Sequence, residues 1–156
     1  MPPLTLPAMN LSKLRRLAVL AALLPGACAF FPGRTPPASP LLGTWSTADH
    51  NKVIFRADAV VVAPEQGPST TMSAADCNGR YKLLYGRMAT APLAAAFASQ
   101  PDLQNKLKRL LPKPEYMVAD VTCGDGGTTY LMLDDRQMIA VYRDAGIGGV
   151  EQLTRL

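Results

Sequence analysis

Short runs rich in β-branched and aromatic residues, each bounded by Gly, Asn, Asp or Pro, constrain the fold of this chain more than any other feature. Runs of this kind are typical of β-strands, and brief connections between them indicate an antiparallel arrangement. We therefore expect a mainly β protein, an antiparallel barrel or sandwich of approximately eight strands. The runs begin at Gly43, Lys52, Ala59, Arg80, Tyr116, Thr128, Gln137 and Val150.

Glycine-containing motifs lie between several of these runs. The Asn-Gly pair in "CNGR", residues 77–80, predicts a β-hairpin because both residues tolerate positive φ. The motifs "GDGG", residues 124–127, and "GIGG", residues 146–149, predict turns.

One segment, residues 91–111, has the composition of a helix instead. Its leucines at 103, 107, 110 and 111 form one apolar stripe at helical spacing. Ser99 is a candidate N-cap before Pro101, and the prolines at 112 and 114 end the helix. We expect an inserted helix, or a broken pair of helices, that packs over an open end or side of the sheet.

The first 27 residues have the pattern of a signal peptide. Lys13, Arg15 and Arg16 precede the apolar run Leu17 to Leu24, and small residues follow. The run is shorter than the about 20 residues that span a bilayer, so we expect export rather than a permanent transmembrane helix. Translation could start at Met1 or at Met9.

Two cleavage sites are compatible with this segment. The motif "ACA", residues 27–29, would release a protein that begins at Phe30. The motif "LPGAC" instead resembles a bacterial lipobox, which implies that Cys28 becomes the first residue and carries acyl chains. We favour the lipoprotein, anchored on the periplasmic side of the outer membrane, with residues 28–40 as a Pro-rich tether. A free periplasmic protein is the alternative.

The cysteine count agrees with export. The chain has 3 Cys, and assigning Cys28 to a lipid, or losing it with the signal, leaves Cys77 and Cys123. An oxidising compartment favours a disulfide between these two. Two independent buried thiols are the alternative interpretation.

The charge of the mature chain gives no support for a nucleic-acid partner. Three of the 16 Lys and Arg lie in the signal peptide, which leaves 13 basic residues against 12 acidic ones. Binding to nucleic acid requires a surface that neutralises phosphates, and this balance does not indicate one.

Three stretches together resemble a known family. They are "LLGTWS" from Leu41, "KVIFRADAVVV" from Lys52, and the C-terminal stretch from Thr128. They are similar to the lipocalin-like, calycin-type (Gly-x-Trp) small β-barrel domains of bacterial envelope lipoproteins. The resemblance implies one such domain over residues 41–156. It also implies that Gly43 and Trp45 lie in the first strand, with a basic last-strand residue over the Trp: Arg155 first, Arg143 second.

No residue pattern indicates catalysis or a metal. His50 is the only histidine and lies in a turn-like sequence, so a zinc site cannot be assembled from the usual ligands. Asp134 and Asp135 are adjacent, and neighbours on a strand point to opposite faces, so we interpret them as a turn. Motifs of nucleophilic hydrolases are missing from the sequence. We expect no catalytic residue, no metal and no cofactor, and we predict that the protein is not an enzyme.

Two groups of side chains could make contacts with partners. Lys106, Arg109 and Lys113 recur at helical spacing and could contact anionic headgroups; a solvated helix face, with Asp102 paired to Lys106, is the alternative. The tyrosines at 81, 85, 116, 130 and 142 are spread over the strands. Tyr81, Leu83 and Tyr85 share a face, which could line a ligand cavity or fill an ordinary core.

These observations favour a non-catalytic function. We expect an envelope-anchored lipoprotein that serves as a binding or inhibitor module for another protein. The alternative is a carrier of a small apolar ligand inside the barrel.

Overall fold

A computed structural model describes residues 39–144 and 147–156, except for the side chain of Ile147. The signal peptide, Cys28 and most of the tether lie outside the described residues. The described strands are β1 Gly43–Thr47, β2 Lys52–Phe55, β3 Val60–Ala63, β4 Thr70–Thr71, β5 Tyr81–Ala89, β6 Glu115–Cys123, β7 Gly126–Met132, β8 Gln137–Asp144 and β9 Ile147–Arg155. The helices are α1 Thr90–Ala95 and α2 Pro101–Leu110. The prediction of a mainly β protein with an inserted helical segment is confirmed.

All nine strands belong to one antiparallel sheet. The strand order is β4-β3-β2-β1-β9-β8-β7-β6-β5, so β4 and β5 are its two edges. The predicted Asn-Gly hairpin is therefore wrong as a hairpin, because the strands on either side of it do not pair. Its turn is present, with Asn78 at φ 52° and Gly79 at φ 77°. The prediction of a turn at "GIGG" is wrong for residues 147–149, because they belong to β9.

The sheet curls strongly into a half-barrel. Phe55 on β2 and Tyr130 on β7 make an edge-to-face contact with ring centroids 4.8 Å apart. Four strand spacings separate β2 from β7 in the sheet, which would be about 19 Å in a flat sheet. The Tyr85 hydroxyl of β5 also donates to the carbonyl of Arg56, which follows β2 (2.5 Å). Edge strand β5 therefore approaches the connection between β2 and β3, without a ladder between them.

Each face of the curled sheet carries an apolar cluster. One cluster lies on the concave face around Trp45 and Phe55, and the other lies on the opposite face, under α1 and α2. Strand residues alternate between the two faces, so β6, β7 and β8 are buried on both sides. The concave cluster contains Leu41, Trp45, Val53, Phe55, Val60, Ala119, Val121, Tyr130, Met138, Ala140 and Leu153. The helix-covered cluster contains Leu93, Phe97, Leu107, Leu111, Tyr116, Val118, Leu131, Ile139 and Val141.

The helical insert consists of two separate helices, which is the second of the two predicted arrangements. The predicted N-cap at Ser99 is wrong: Gln100 occupies that position, and its side chain makes no capping hydrogen bond. Pro101 supplies the first turn, and its fixed φ is compatible with that position. The helices lie close to β9, because a Cβ added at Gly148 would come within 2.5 Å of Phe97 and 2.6 Å of Leu103.

A disulfide joins Cys77 to Cys123, which confirms the predicted pairing. It ties the connection between β4 and β5 to the last residue of β6. We call this the disulfide end of the sheet and the opposite one, where β1 begins, the Trp45 end. Within the described residues, none of the helices is both long enough and apolar enough to cross a membrane.

Candidate functional site

The Trp45 end of the concave face is filled by the protein's own side chains. Trp45 is fully buried, and its indole Nε1–H donates to the carbonyl of Leu41 (2.9 Å). The guanidinium carbon of Arg155 lies 4.5 Å from the centroid of the Trp45 ring, where the resemblance places a basic residue. Arg155 also donates to the carbonyl of Pro40. This cation–π contact and these hydrogen bonds fix the first described residues over the end of the sheet.

Arg143, the second candidate partner of the Trp45 ring, lies elsewhere. Its Nη2 is 3.6 Å from Asp120 Oδ1, and by strand alternation both residues belong to the helix-covered face of the sheet. Asp120 Oδ1 also accepts a hydrogen bond from Thr129 Oγ1 (2.6 Å). The expectation that Arg143 could stand over Trp45 is therefore wrong, and Arg155 occupies that place.

The disulfide end of the concave face has a different character. Tyr81 and Leu83 are half-buried there, and Tyr142 remains 42% exposed. A Cβ added at Gly149 would lie 2.2 Å from the Tyr142 ring, so this ring lies across the backbone of β9. Glu151, two residues further along the same face, is half-buried. Aromatic rings and one carboxylate therefore border this part of the face.

Two hydroxyl oxygens on this face are buried without a hydrogen-bond partner: Thr47 Oγ1 and the phenol of Tyr81. Thr47 is only 9% exposed and stands opposite Leu153 in the ladder between β1 and β9. A buried hydroxyl that lacks a partner costs about 1–3 kcal/mol. Both oxygens are closed off from solvent by surrounding protein atoms.

Two tyrosines of the concave face titrate above the usual range. Burial raises the pKa of Tyr130 to about 12, and the neighbouring Glu151 and Tyr81 add to the rise. Burial also raises the pKa of Tyr85 to about 12, with contributions from Tyr81 and Asp58. Both phenols are therefore neutral at physiological pH and serve as hydrogen-bonding groups.

The edge strand β5 exposes unpaired backbone groups. The Thr90 amide donates to Pro114 O and the Gly124 amide to Arg80 O, each at 2.9 Å. These residues continue the register between β5 and β6, so the even-numbered residues of β5 are the ones hydrogen-bonded to β6. The odd-numbered ones direct their N–H and C=O groups toward the edge, where no described strand pairs with them. They are Tyr81, Leu83, Tyr85, Arg87 and Ala89.

The three residues of the predicted basic cluster, Lys106, Arg109 and Lys113, do not form one group in the structure. Lys106 and Arg109 are exposed on α2. The Lys113 amine instead donates to the Leu133 carbonyl (3.1 Å) and lies 5.7 Å from the centroid of the Tyr116 ring. Lys108 and Lys113 both line an open groove of about 440 Å³ beside α1. The alternative pairing of Asp102 with Lys106 is absent from the ion pairs of the described residues.

The remaining polar candidates lie in turns. His50 is exposed with φ 60°, and its backbone amide donates to Thr47 O (3.1 Å). Asp134 Oδ1 accepts from the amides of Arg136 and Gln137, both at 2.8 Å, which is the turn that the sequence predicts. Over the residues that the structure describes, His, Cys, Asp and Glu side chains form no group able to hold a metal ion.

Sequence reasoning missed Glu151 and Thr47 as candidates. The strand alternation would have found Glu151, since it lies two residues before the buried Leu153 and so on the same face. Thr47 follows Trp45 by the same spacing. Comparison with protein-family models gave no match. The curated proteins and the solved structures gave none either.

Proposed function

We propose that this chain is a non-catalytic binding module of the bacterial envelope, anchored through Cys28, that binds an extended segment of another protein at the β5 edge. The observation that carries the proposal is the nine-residue β5 strand, paired on one side only. Unpaired strand edges are templates for an added strand, and a partner segment would gain main-chain hydrogen bonds along the edge.

The charge of the β5 edge favours an acidic partner segment. Residues 80–89 contain Arg80, Lys82 and Arg87 and no acidic residue. Arg80 and Arg87 pair with Asp125 and Glu115 at 2.7 and 3.4 Å, but these pairs are exposed, and exposed pairs contribute little. The two arginines can therefore turn to a partner. A second copy of this chain fits less well, because like charges on paired strands repel.

A crosslinking experiment in the native host tests this proposal. In one variant, a photo-crosslinking amino acid replaces Leu84, which is 50% exposed on β5. In a control variant, the same amino acid replaces Asp135, an exposed turn residue. We expect a discrete protein adduct from position 84 and none from position 135.

Backbone specificity is tested with a matched pair of variants at one position. Arg87→Pro removes an edge N–H, and Arg87→Ala removes the same side chain but keeps the N–H. Proline is tolerated on edge strands, and unchanged thermal unfolding would show that both variants fold. The adduct should disappear in Arg87→Pro and persist in Arg87→Ala. An adduct that survives both substitutions, or none from position 84, would refute strand addition.

A carrier of a small apolar ligand is the second candidate function. It is favoured by the half-buried Tyr81, Leu83 and Tyr142 at the disulfide end of the concave face. Native mass spectrometry of the protein, gently extracted from host membranes without reductant, tests both the ligand and the anchor. A bound mass that is lost on denaturation supports the carrier, and a diacyl or triacyl mass on a chain that begins at Cys28 supports the anchor. A lipid-free chain that begins at Phe30 would contradict the anchor.

A further inference from the structure

An open groove of about 440 Å³ runs beside α1 in the helical insert. Its walls come from α1, from α2 and from the connection that leads to β6. Gln104 Nε2 donates to Ala94 O (3.1 Å) and so joins α2 to α1. Thr90 Oγ1 donates to Lys113 O (2.7 Å) and so joins α1 to the connection. The fold therefore holds a concave surface here, with a volume in the range of roughly 300–1,000 Å³ that is typical of small-ligand sites.

The lining of this groove combines apolar residues with two cations. The apolar ones are Ala91, Ala94, Ala95, Leu111 and Pro114. The cations are Lys108 and Lys113, and the ion pairs of the described residues include neither of them. Each ammonium group has three N–H donors. One contact is made by each: Lys108 to Gln104 Oε1 (3.5 Å) and Lys113 to Leu133 O (3.1 Å). Two positive charges and several donors therefore remain for an anion, and no acidic residue is among the described residues that line the groove.

Two further basic residues extend the positive charge over the surface of α2. Lys106 and Arg109 are exposed on this helix and lie outside the groove. Asp102, in the first turn of α2, is the only acidic residue in the sequence from 101 to 114. The two aspartates of the β7–β8 turn line a neighbouring cavity instead. Because basic residues dominate this part of the surface, its charge is complementary to an anionic partner.

The groove lies at the Trp45 end, where the chain arrives from Cys28. The Thr90 amide donates to Pro114 O directly beyond the ladder between β5 and β6, so both groove residues lie at that end of the strands. Pro40 and Lys113 line one neighbouring cavity. Cys28 precedes Pro40 by 12 positions, and a chain of that length spans at most about 40 Å. A membrane that holds Cys28 is therefore within reach of the groove.

We propose that this groove binds the headgroup of an anionic membrane phospholipid, with Lys108 and Lys113 donating to its phosphate oxygens. Lys106 and Arg109 then face the surrounding headgroups, and the helical insert lies against the membrane surface. The inference rests on the proposed anchor at Cys28, which supplies the membrane, and it uses no group of the β5 edge. A short tether keeps the local concentration of headgroups high, so a weak contact is sufficient to orient the domain.

Co-sedimentation with lipid vesicles tests this proposal on the mature, disulfide-bonded chain with the substitution Cys28→Ser, so that no acyl chain contributes. One set of vesicles contains phosphatidylglycerol and phosphatidylcholine in equal parts, and the other contains phosphatidylcholine alone. Each basic residue near an anionic surface strengthens binding by a factor on the order of five. We therefore expect at least ten-fold stronger binding to the anionic vesicles, which weakens as salt is added. Equal binding to both sets, or to neither, would overturn the proposal but would not affect the anchor, which native mass spectrometry tests separately.

Two matched double variants locate the contact. Lys108→Gln/Lys113→Gln removes the groove cations, and Lys52→Gln/Lys82→Gln removes the same charge from exposed positions on β2 and β5. The first should weaken binding to the anionic vesicles at least ten-fold, and the second should leave it nearly unchanged. Equal losses would mean that the vesicles respond only to net charge, which would overturn the proposal. Should the Lys113 substitution disturb folding, Lys108→Gln against Lys52→Gln makes the same comparison.

A soluble acidic polypeptide, poly-glutamate, distinguishes a protein partner from a membrane. It offers carboxylates without a bilayer surface. At an equal concentration of anionic groups, we expect it to bind at least ten-fold more weakly than the anionic vesicles. Comparable binding that is also lost in Lys108→Gln/Lys113→Gln would assign the groove to an acidic protein and overturn the proposal.

Discussion

Removal of the Cys77–Cys123 disulfide should destabilise the domain by about 4 kcal/mol. The two cysteines are 46 residues apart in sequence, and the loop that they close contains β5, both helices and most of β6. In the chain-entropy model, closing a loop of this length lowers the entropy of the unfolded chain and so raises the free energy of unfolding by roughly 4 kcal/mol. Because Cys77 is 1% exposed, a Cys-to-Ala variant adds a smaller cavity cost of the order of 1 kcal/mol.

Urea denaturation provides the measurement. The fluorescence of Trp45, the one tryptophan of the chain, reports on the Trp45 end, at a distance from the disulfide. We would compare the oxidised protein, the same protein with reductant, and the double variant Cys77→Ala/Cys123→Ala. Reduction and substitution should each lower the free energy of unfolding, with the double variant slightly less stable. A loss below about 1 kcal/mol on reduction, or two reactive thiols in the folded exported protein, would refute the reasoning.

Three further predictions concern packing and titration. Gly148→Ala should cost about 1–3 kcal/mol, because its Cβ would overlap side chains of the helical insert; Gly86→Ala, with nothing within 4 Å of its Cβ, should be neutral or stabilising in the same denaturation assay. Arg155→Gln should lower the free energy of unfolding by about 1–2 kcal/mol and change the fluorescence emission of Trp45. An unchanged emission spectrum would contradict the contact between Arg155 and the Trp45 ring. Because the pKa of Tyr130 is about 12 when folded and about 10 when unfolded, the unfolded state loses its proton first. The contribution of Tyr130 to stability should therefore be retained below pH 10 and fall by roughly 3 kcal/mol between pH 10 and 12. Tyr130→Phe should remove this part of the fall and leave the part that comes from Tyr85, whose pKa is also raised.

The sequence predicted individual strands well because their signals are local. The runs from Gly43, Lys52 and Gln137 correspond to β1, β2 and β8 with the same first residue. Alternating burial and β-branched composition act over a few residues, and a single sequence displays them directly. The cysteine pairing was predictable for a different reason: once Cys28 is set aside, only one pair is possible.

The order and pairing of the strands were harder to predict from the sequence. Asn78 and Gly79 adopt the positive φ values that their residue types favour, yet the hairpin that they predict is not formed. Turn chemistry determines the local bend, whereas the pairing of β5 with β6 rather than β4 depends on contacts between distant parts of the chain. The free β5 edge is a property of the whole sheet, so no local motif indicates it.

The candidate concave site was predictable only in part. Placing Tyr81, Leu83 and Tyr85 on one face required only the alternation of a strand, and the structure places them together. Bringing Glu151 toward Tyr130 required the order and register of β7, β8 and β9. That register joins residues about 20 positions apart, and short sequence motifs do not encode it.

The Trp45 end also determines how the domain can be presented to a surface. The amide of Leu156 donates to Thr44 O (3.0 Å), and Arg155 binds the carbonyl of Pro40, so both described termini leave from this one end. A protein immobilised on a biosensor by a tag that follows Leu156 would therefore have its Trp45 end next to the support. The disulfide end of the sheet would then face the solution, and attachment through the C-terminus is the geometry to choose for measuring binding at that end.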